Sequence, residues 1–121
     1  MSRVVDGQDY PRPATNASAG EKALADIDSV FGALAHATRR HILLVLRFRG
    51  GRMTAGEIAG RFDCSWPTVT RHLKVLREAG LVVQHRDGRE RIYELAGDRL
   101  NSVAIQWLRW FIDDETPDSE V

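Results

Sequence analysis

The chain has 121 residues, 43% of them hydrophobic, which suits one domain around one core and excludes wholesale disorder. Basic and acidic side chains number 17 each, so the formal net charge is zero, which would speak against a nucleic-acid partner if the charge were evenly spread. The longest apolar run, Ile42 to Leu46, is too short for a bilayer, the opening MSRVVDGQDYPRP has no signal-peptide core, and the single cysteine, Cys64, allows no internal disulfide; a cytoplasmic protein with no membrane partner is expected.

Taken in chain order, residues 1–20 carry Gly7, Pro11, Pro13 and Gly20 among small polar residues and read as a flexible arm. A domain over residues 21–113 follows. Leu24, Ile27, Phe31 and Leu34 return at helical spacing and define a first helix from Glu21. A second spans Ala37 to Phe48, with Ile42, Val45 and Leu46 inward, and stops at Gly50-Gly51. Thr54 to Glu57 match a capping box, which starts a short helix with Ile58, Ala59 and Phe62 on its apolar side.

Asp63 and Cys64 form a tight turn. Ser65 is then a good N-cap for a helix that tolerates Pro67 in its first turn and ends at Gly80. Two β-rich runs, Leu81–His85 and Arg91–Leu95, flank Asp87-Gly88 and predict a hairpin. A last helix runs from about Asp98 to Ile112, and residues 114–121 form an acidic tail expected to fray. The order α-α-α-α-β-β-α, mainly α with a small β-hairpin, is that of a winged helix-turn-helix.

Charge follows this order. Residues 1–38 hold three basic and five acidic side chains, residues 39–95 twelve and six, and residues 96–121 two and six. A basic centre between acidic ends is the footprint of an anion-binding region.

The helix after Ser65 carries the candidate chemistry. With Val69, Leu73 and Leu76 inward, Arg71 and Lys74 point away, Thr68 and Thr70 flank the exposed end, and His72 borders the core stripe. Hydroxyls, a guanidinium and an ammonium suit base edges in a major groove. The expected DNA-contacting set is Ser65, Trp66, Thr68, Thr70, Arg71, His72 and Lys74, with Arg86, Arg89 and Arg91 of the hairpin reaching the backbone or minor groove. A solvated amphipathic helix also shows Arg and Lys outward. The conjunction of two capped helices, a tight turn and an arginine-flanked hairpin favours double-stranded DNA.

The last helix is apolar over a wide face. Leu100, Val103, Ala104, Trp107, Trp110 and Phe111, with Leu24, Ile27 and Phe31 of the first helix, form two stripes that a monomer struggles to hide. A homodimer hides them by pairing identical patches and sets two recognition helices about 34 Å apart on a palindrome. Trp107 and Trp110 are its expected anchors.

His36 and His41 do not share a helix face, and Cys64 has no partner at zinc-ligand spacing, so no metal and no cofactor is expected. Nor is a nucleophile–base–orienter set visible, and an enzyme is not expected. A winged-helix module for protein contacts, and a redox or ligand sensor of the same fold, are the alternatives to a DNA-binding regulator.

The strings LAHATRRHILLVL, MTAGEIAGRFDCSWPTVTRHLKVLREAGLV and RDGRERIYEL, from about Val30 to Phe111, resemble the ArsR/SmtB family of bacterial winged-helix repressors. The resemblance implies a homodimer that binds an operator and blocks transcription. It implies a dimer interface from the first and last helices, a recognition helix from Ser65 and a wing from Arg86 to Arg91. The family's metal sensors often carry paired cysteines near the short helix, and Asp with His on the last helix. MTAGEIA has no cysteine and LNSVAIQWLRWFIDDE no histidine, so the chain is similar to the metal-free branch. Where the family commonly has Asp-Pro before Thr-Arg, this chain has His36-Ala37, and a weaker N-cap is expected there.

Overall fold

A computed structural model describes residues 19–112; the expected arm up to residue 18 and the acidic tail lie outside the described residues. Helix α1 (Ala19–Leu34) starts two residues before the predicted boundary and buries Ile27, Val30 and Ala33. Helix α2 (Ala37–Phe48) has the predicted span and buries Ile42, Leu43 and Leu46. Leu43 is thus inside, whereas the expected Val45 is only half-buried.

His36 caps α2 better than its residue type suggests. Its Nδ1 accepts the Thr38 amide at 3.1 Å from an extended backbone, the geometry that a side-chain oxygen ordinarily provides. Strand β1 (Arg52–Thr54) follows and leads into helix α3 (Ala55–Ala59). The capping box is present in full. The Glu57 amide donates to Thr54 Oγ1 at 3.0 Å, and the Thr54 amide donates to Glu57 Oε1 at 2.9 Å. Phe62 falls in the turn beyond α3 and packs on the core from there.

Helix α4 (Trp66–Glu78) is capped by Ser65 and buries Val69, Leu73 and Leu76, the predicted stripe. It closes in a Schellman arrangement: the Gly80 amide donates to the Arg77 carbonyl and the Leu81 amide to the Leu76 carbonyl, both at 2.9 Å. Strands β2 (Val82–Asp87) and β3 (Glu90–Leu95) form the hairpin, longer at the tip than predicted, with Gly88 at φ 65° in the turn. β1 pairs antiparallel with the other edge of β3, giving a three-stranded sheet in the order β1-β3-β2. The sequence pattern does not announce this third strand. Three residues show no alternation, and Thr54 reads as a helix cap.

Helix α5 (Gly97–Arg109) packs along α1 and ends before the predicted Ile112, the chain from Trp110 to Ile112 being turn. The core lies between α1, α2, α4 and the inner face of the sheet. Ile42, Leu46, Ile58, Val69, Leu73, Leu76 and Leu81 are essentially inaccessible there. Arg99 ties three helices together: its Nε donates to the Ala79 carbonyl at 2.9 Å, and its Nη2 lies 3.4 Å from Asp26 Oδ1.

Candidate nucleic-acid interface

Burying Val69, Leu73 and Leu76 forces the opposite face of α4 outward, beside the hairpin. Ser65 spends its hydroxyl on the helix: Oγ accepts the Thr68 amide at 3.3 Å and is 3.0 Å from Thr68 Oγ1. Thr68 is half-buried and its hydroxyl is engaged by that contact, so neither hydroxyl stands free. Arg71 is exposed and makes no hydrogen bond or ion pair with the described residues. Lys74 is exposed and has only a 4.0 Å approach to Glu78, an exposed pair of little energetic weight.

The hairpin supplies the rest. Arg86 and Arg91 sit directly opposite each other on β2 and β3. Like charges at such a position destabilise an isolated ribbon, by a few tenths of a kcal/mol to about 1. They line a recess between α4 and the sheet together with Thr70, Lys74, Arg77 and Gln84. A second recess, between the start of α3, the start of α4 and the hairpin tip, is lined by Trp66, Thr70, Arg89 and Arg91, with Glu90 beside them. Thr70 belongs to both, so it marks the seam between helix and wing. Trp66 is about half exposed and lines the second recess.

Two participants are not evident from the sequence pattern. Arg77 Nη1 donates to Gln84 Oε1 and so fixes α4 to β2 at the edge of the basic recess. A signal exists in principle, since Arg77 follows Lys74 at helical spacing, but its strand partner is fixed only by the tertiary fold. His72 is the opposite case. It is half-buried and turned towards α2, with Nδ1 3.3 Å from Arg39 Nη1 and its ring 4.4 Å from that of His36. Its pKa lies below the ordinary imidazole value, through burial first and then through His36, Arg39 and Arg71. His72 therefore sits beside the core stripe, where helical spacing sets it, and faces α2, away from the outward face of the other expected DNA-contacting residues. Cys64 is exposed in its turn.

The expected dimer residues divide in two. Ile27 and Val103 are buried inside the protomer, and Phe31 meets Trp107 edge-on at 6.2 Å between ring centroids. Leu24, Leu100 and Ala104 are half-buried. Trp110 and Phe111 remain 76% and 70% exposed, with Ile105, Leu108 and Ile112 also open. Ile27 and Val103 thus serve the protomer's own core; of the expected interface residues, Trp110 and Phe111, just beyond α5, are the ones left open, while Leu44, Phe48, Trp66 and Val83 are exposed elsewhere on the protomer.

Architecture and site together define a winged helix-turn-helix protein with a basic helix–wing cleft. The helix-turn-helix domain family matches residues 34–85. The transcriptional repressor SdpR of Bacillus subtilis is 39% identical over 87 residues, covering 72% of this chain and 93% of that protein. An ArsR-like transcriptional regulator from a Rhodococcus species has a solved structure that superposes with a TM-score of 0.66 at 34% identity, over 74% of this chain and 83% of its own. A solution structure from Mycobacterium bovis, described as a homodimeric winged helix-turn-helix DNA-binding domain, superposes with a TM-score of 0.61 at 26% identity, over 81% and 91%. The chain belongs to the ArsR/SmtB family of winged-helix transcriptional repressors.

Proposed function

We propose that the chain is a transcriptional repressor that binds double-stranded operator DNA as a homodimer, without metal, cofactor or catalytic step. The observation that carries this is the cleft between α4 and the wing. Lys74, Arg77, Arg86 and Arg91 line it, and two of these arginines, Arg86 and Arg91, are register partners across the hairpin, a like-charge pairing that costs the ribbon stability. A phosphate offsets that cost. Arg71 and Thr70 then read base edges in the major groove, with Trp66 against sugar or a thymine methyl, while Arg86, Arg89 and Arg91 hold the backbone beside it. Among the described residues no helix is long and apolar enough to cross a membrane, and the proposed place of action is the bacterial nucleoid.

The SdpR protein bears a repressor's name and the M. bovis domain a homodimer's description, and both support this reading. A protein-docking module would call for an apolar or acidic outward face on α4, and this face is basic and polar. The experiment compares Arg71→Ala and Arg89→Ala on a selected operator and on scrambled duplex. Arg71→Ala should cost about 1–3 kcal/mol on the operator and relax base preference, while Arg89→Ala should weaken both duplexes alike. If both variants lose equally on both duplexes, the division between reading and holding is wrong.

A further inference from the structure

His72 faces away from the candidate DNA surface, and its surroundings give it a different task. Its Nδ1 meets Arg39 Nη1 at 3.3 Å. The same guanidinium donates through Nε to the Ala33 carbonyl at 2.7 Å and through Nη2 to the Gly32 carbonyl at 3.3 Å. Both carbonyls lie in the last turns of α1, so one side chain ties the end of α1 to the middle of α4. His36, packed on the His72 ring at 4.4 Å, uses its own Nδ1 to cap α2. Helix α1 lies in turn along α5, which leads to the exposed Trp110 and Phe111.

Both contacts need a bare Nδ1. Arg39 and the Thr38 amide offer only donors, so a proton on the His72 Nδ1 replaces an attraction with a donor–donor clash. The groups that act on His72 are His36 from the α1–α2 junction, Arg39 from α2 and Arg71 from its own helix. From α3, Glu57 is held in its capping box, and from β2, His85 lies 3.4 Å from Glu94. None of the groups that act on His72 is a carboxylate. An added proton therefore finds nothing to neutralise it.

We propose that Arg39 and His72 form a proton-sensitive coupling between α1 and α4, with His36 packed beside it: a neutral His72 ring holds α4 in its operator-reading position, and its protonation releases it. His72 is thus a positioning residue. The proposal rests on the DNA-binding reading above. Burial and the neighbouring cations displace the release to the acidic side of about pH 6.5, the ordinary imidazole value. The direction is diagnostic. Simple electrostatics, or a direct contact of His72 with phosphate, tightens DNA binding on acidification, because each proton adds positive charge near the backbone. The coupling weakens it.

The test uses the full chain and a duplex selected from random sequence by that chain at pH ~7.5, chosen to lie above the ordinary imidazole value. Affinity is followed by fluorescence anisotropy down to pH ~5.5, below that value. The wild-type chain should lose affinity on the order of tenfold, a typical coupling between linked sites. In His36→Asn/His72→Asn each side-chain oxygen replaces an Nδ1 acceptor without titrating. This variant should keep its neutral-pH affinity and hold or improve it in acid. In parallel, amide resonances of Gly32, Ala33 and Arg71 in the free wild-type protein should shift with the same midpoint as the His72 ring.

Wild-type binding that tightens in acid, a double variant that falls in step with wild type, or α1 amides indifferent to His72 overturns the coupling. If the wild-type chain binds no duplex at any pH, the repressor reading fails, and the amide titration alone decides whether the coupling exists.

Discussion

At Gly80 the backbone takes φ 79°, and a Cβ built there would lie 2.7 Å from Arg99 Nε. Both features follow from one requirement: α4 must end sharply, and Arg99 must reach the Ala79 carbonyl just before that end. Gly80→Ala therefore strains the left-handed backbone and pushes Arg99 off its acceptor and away from Asp26. The expected loss is about 1–3 kcal/mol in urea unfolding, the usual cost of a strained backbone site. Arg99→Ala in the same background should recover part of it. His72 gives a second expectation at this scale. Its folded pKa is lowered by burial and by His36, Arg39 and Arg71. Above about pH 6.5 the ring is neutral in the folded and unfolded chains alike and costs nothing. Below that, the unfolded chain binds a proton that the folded one resists, so stability falls with pH until the folded ring titrates as well. Urea midpoints of His72→Asn should be flatter across that window than those of wild type, and identical slopes would count against the assignment.

At the scale of elements, most boundaries are written in caps and stops that act locally. Thr54, Glu57, Ser65 and Gly80 each fix a helix end through bonds to residues at most five apart, and each is legible from residue type and spacing alone. What escapes such a reading depends on distant partners. Strand β1 exists because β3 presents a second free edge, and His72 is turned by Arg39, 33 residues away. The set at the wing is legible from Arg86, Arg89 and Arg91, but the direct opposition of Arg86 and Arg91 needs the register. The last helix misleads in the other direction. Its apolar breadth is visible in the sequence, yet the residues that the protomer keeps for itself, Val103 above all, cannot be separated there from those left open. That separation yields a prediction. Trp110→Ser/Phe111→Ser removes the two largest exposed apolar side chains at the end of α5 while sparing the buried ones, so it should leave the fold intact and yield a monomer in analytical ultracentrifugation. A dimer that persists would move the interface elsewhere on the molecule.

At the scale of the whole molecule, the zero net charge makes salt a sharp probe. A uniformly neutral particle would feel little of the DNA's field, whereas a basic centre with twelve cationic and six acidic side chains presents its charge locally to the phosphates. Each phosphate neutralised releases counterions, and the logarithm of the binding constant falls against that of salt with a slope of about −0.9 per contact. On the proposed reading Lys74, Arg86, Arg89 and Arg91 of each protomer supply such contacts, and a twofold dimer doubles their number on one duplex. Titrations on the selected operator should therefore show a steep slope for wild type. Arg89→Ala, which removes one contact from each protomer, should lower it by about two, and the Trp110→Ser/Phe111→Ser monomer should give roughly half the wild-type slope. The halving separates loss of the second protomer from damage to the first, because a misfolded reading helix would lower affinity with no fixed ratio of slopes. A slope that is shallow in wild type would mean that the basic cleft is not the element that meets DNA, and one unchanged in the monomeric variant would mean that the second protomer adds no phosphate contacts.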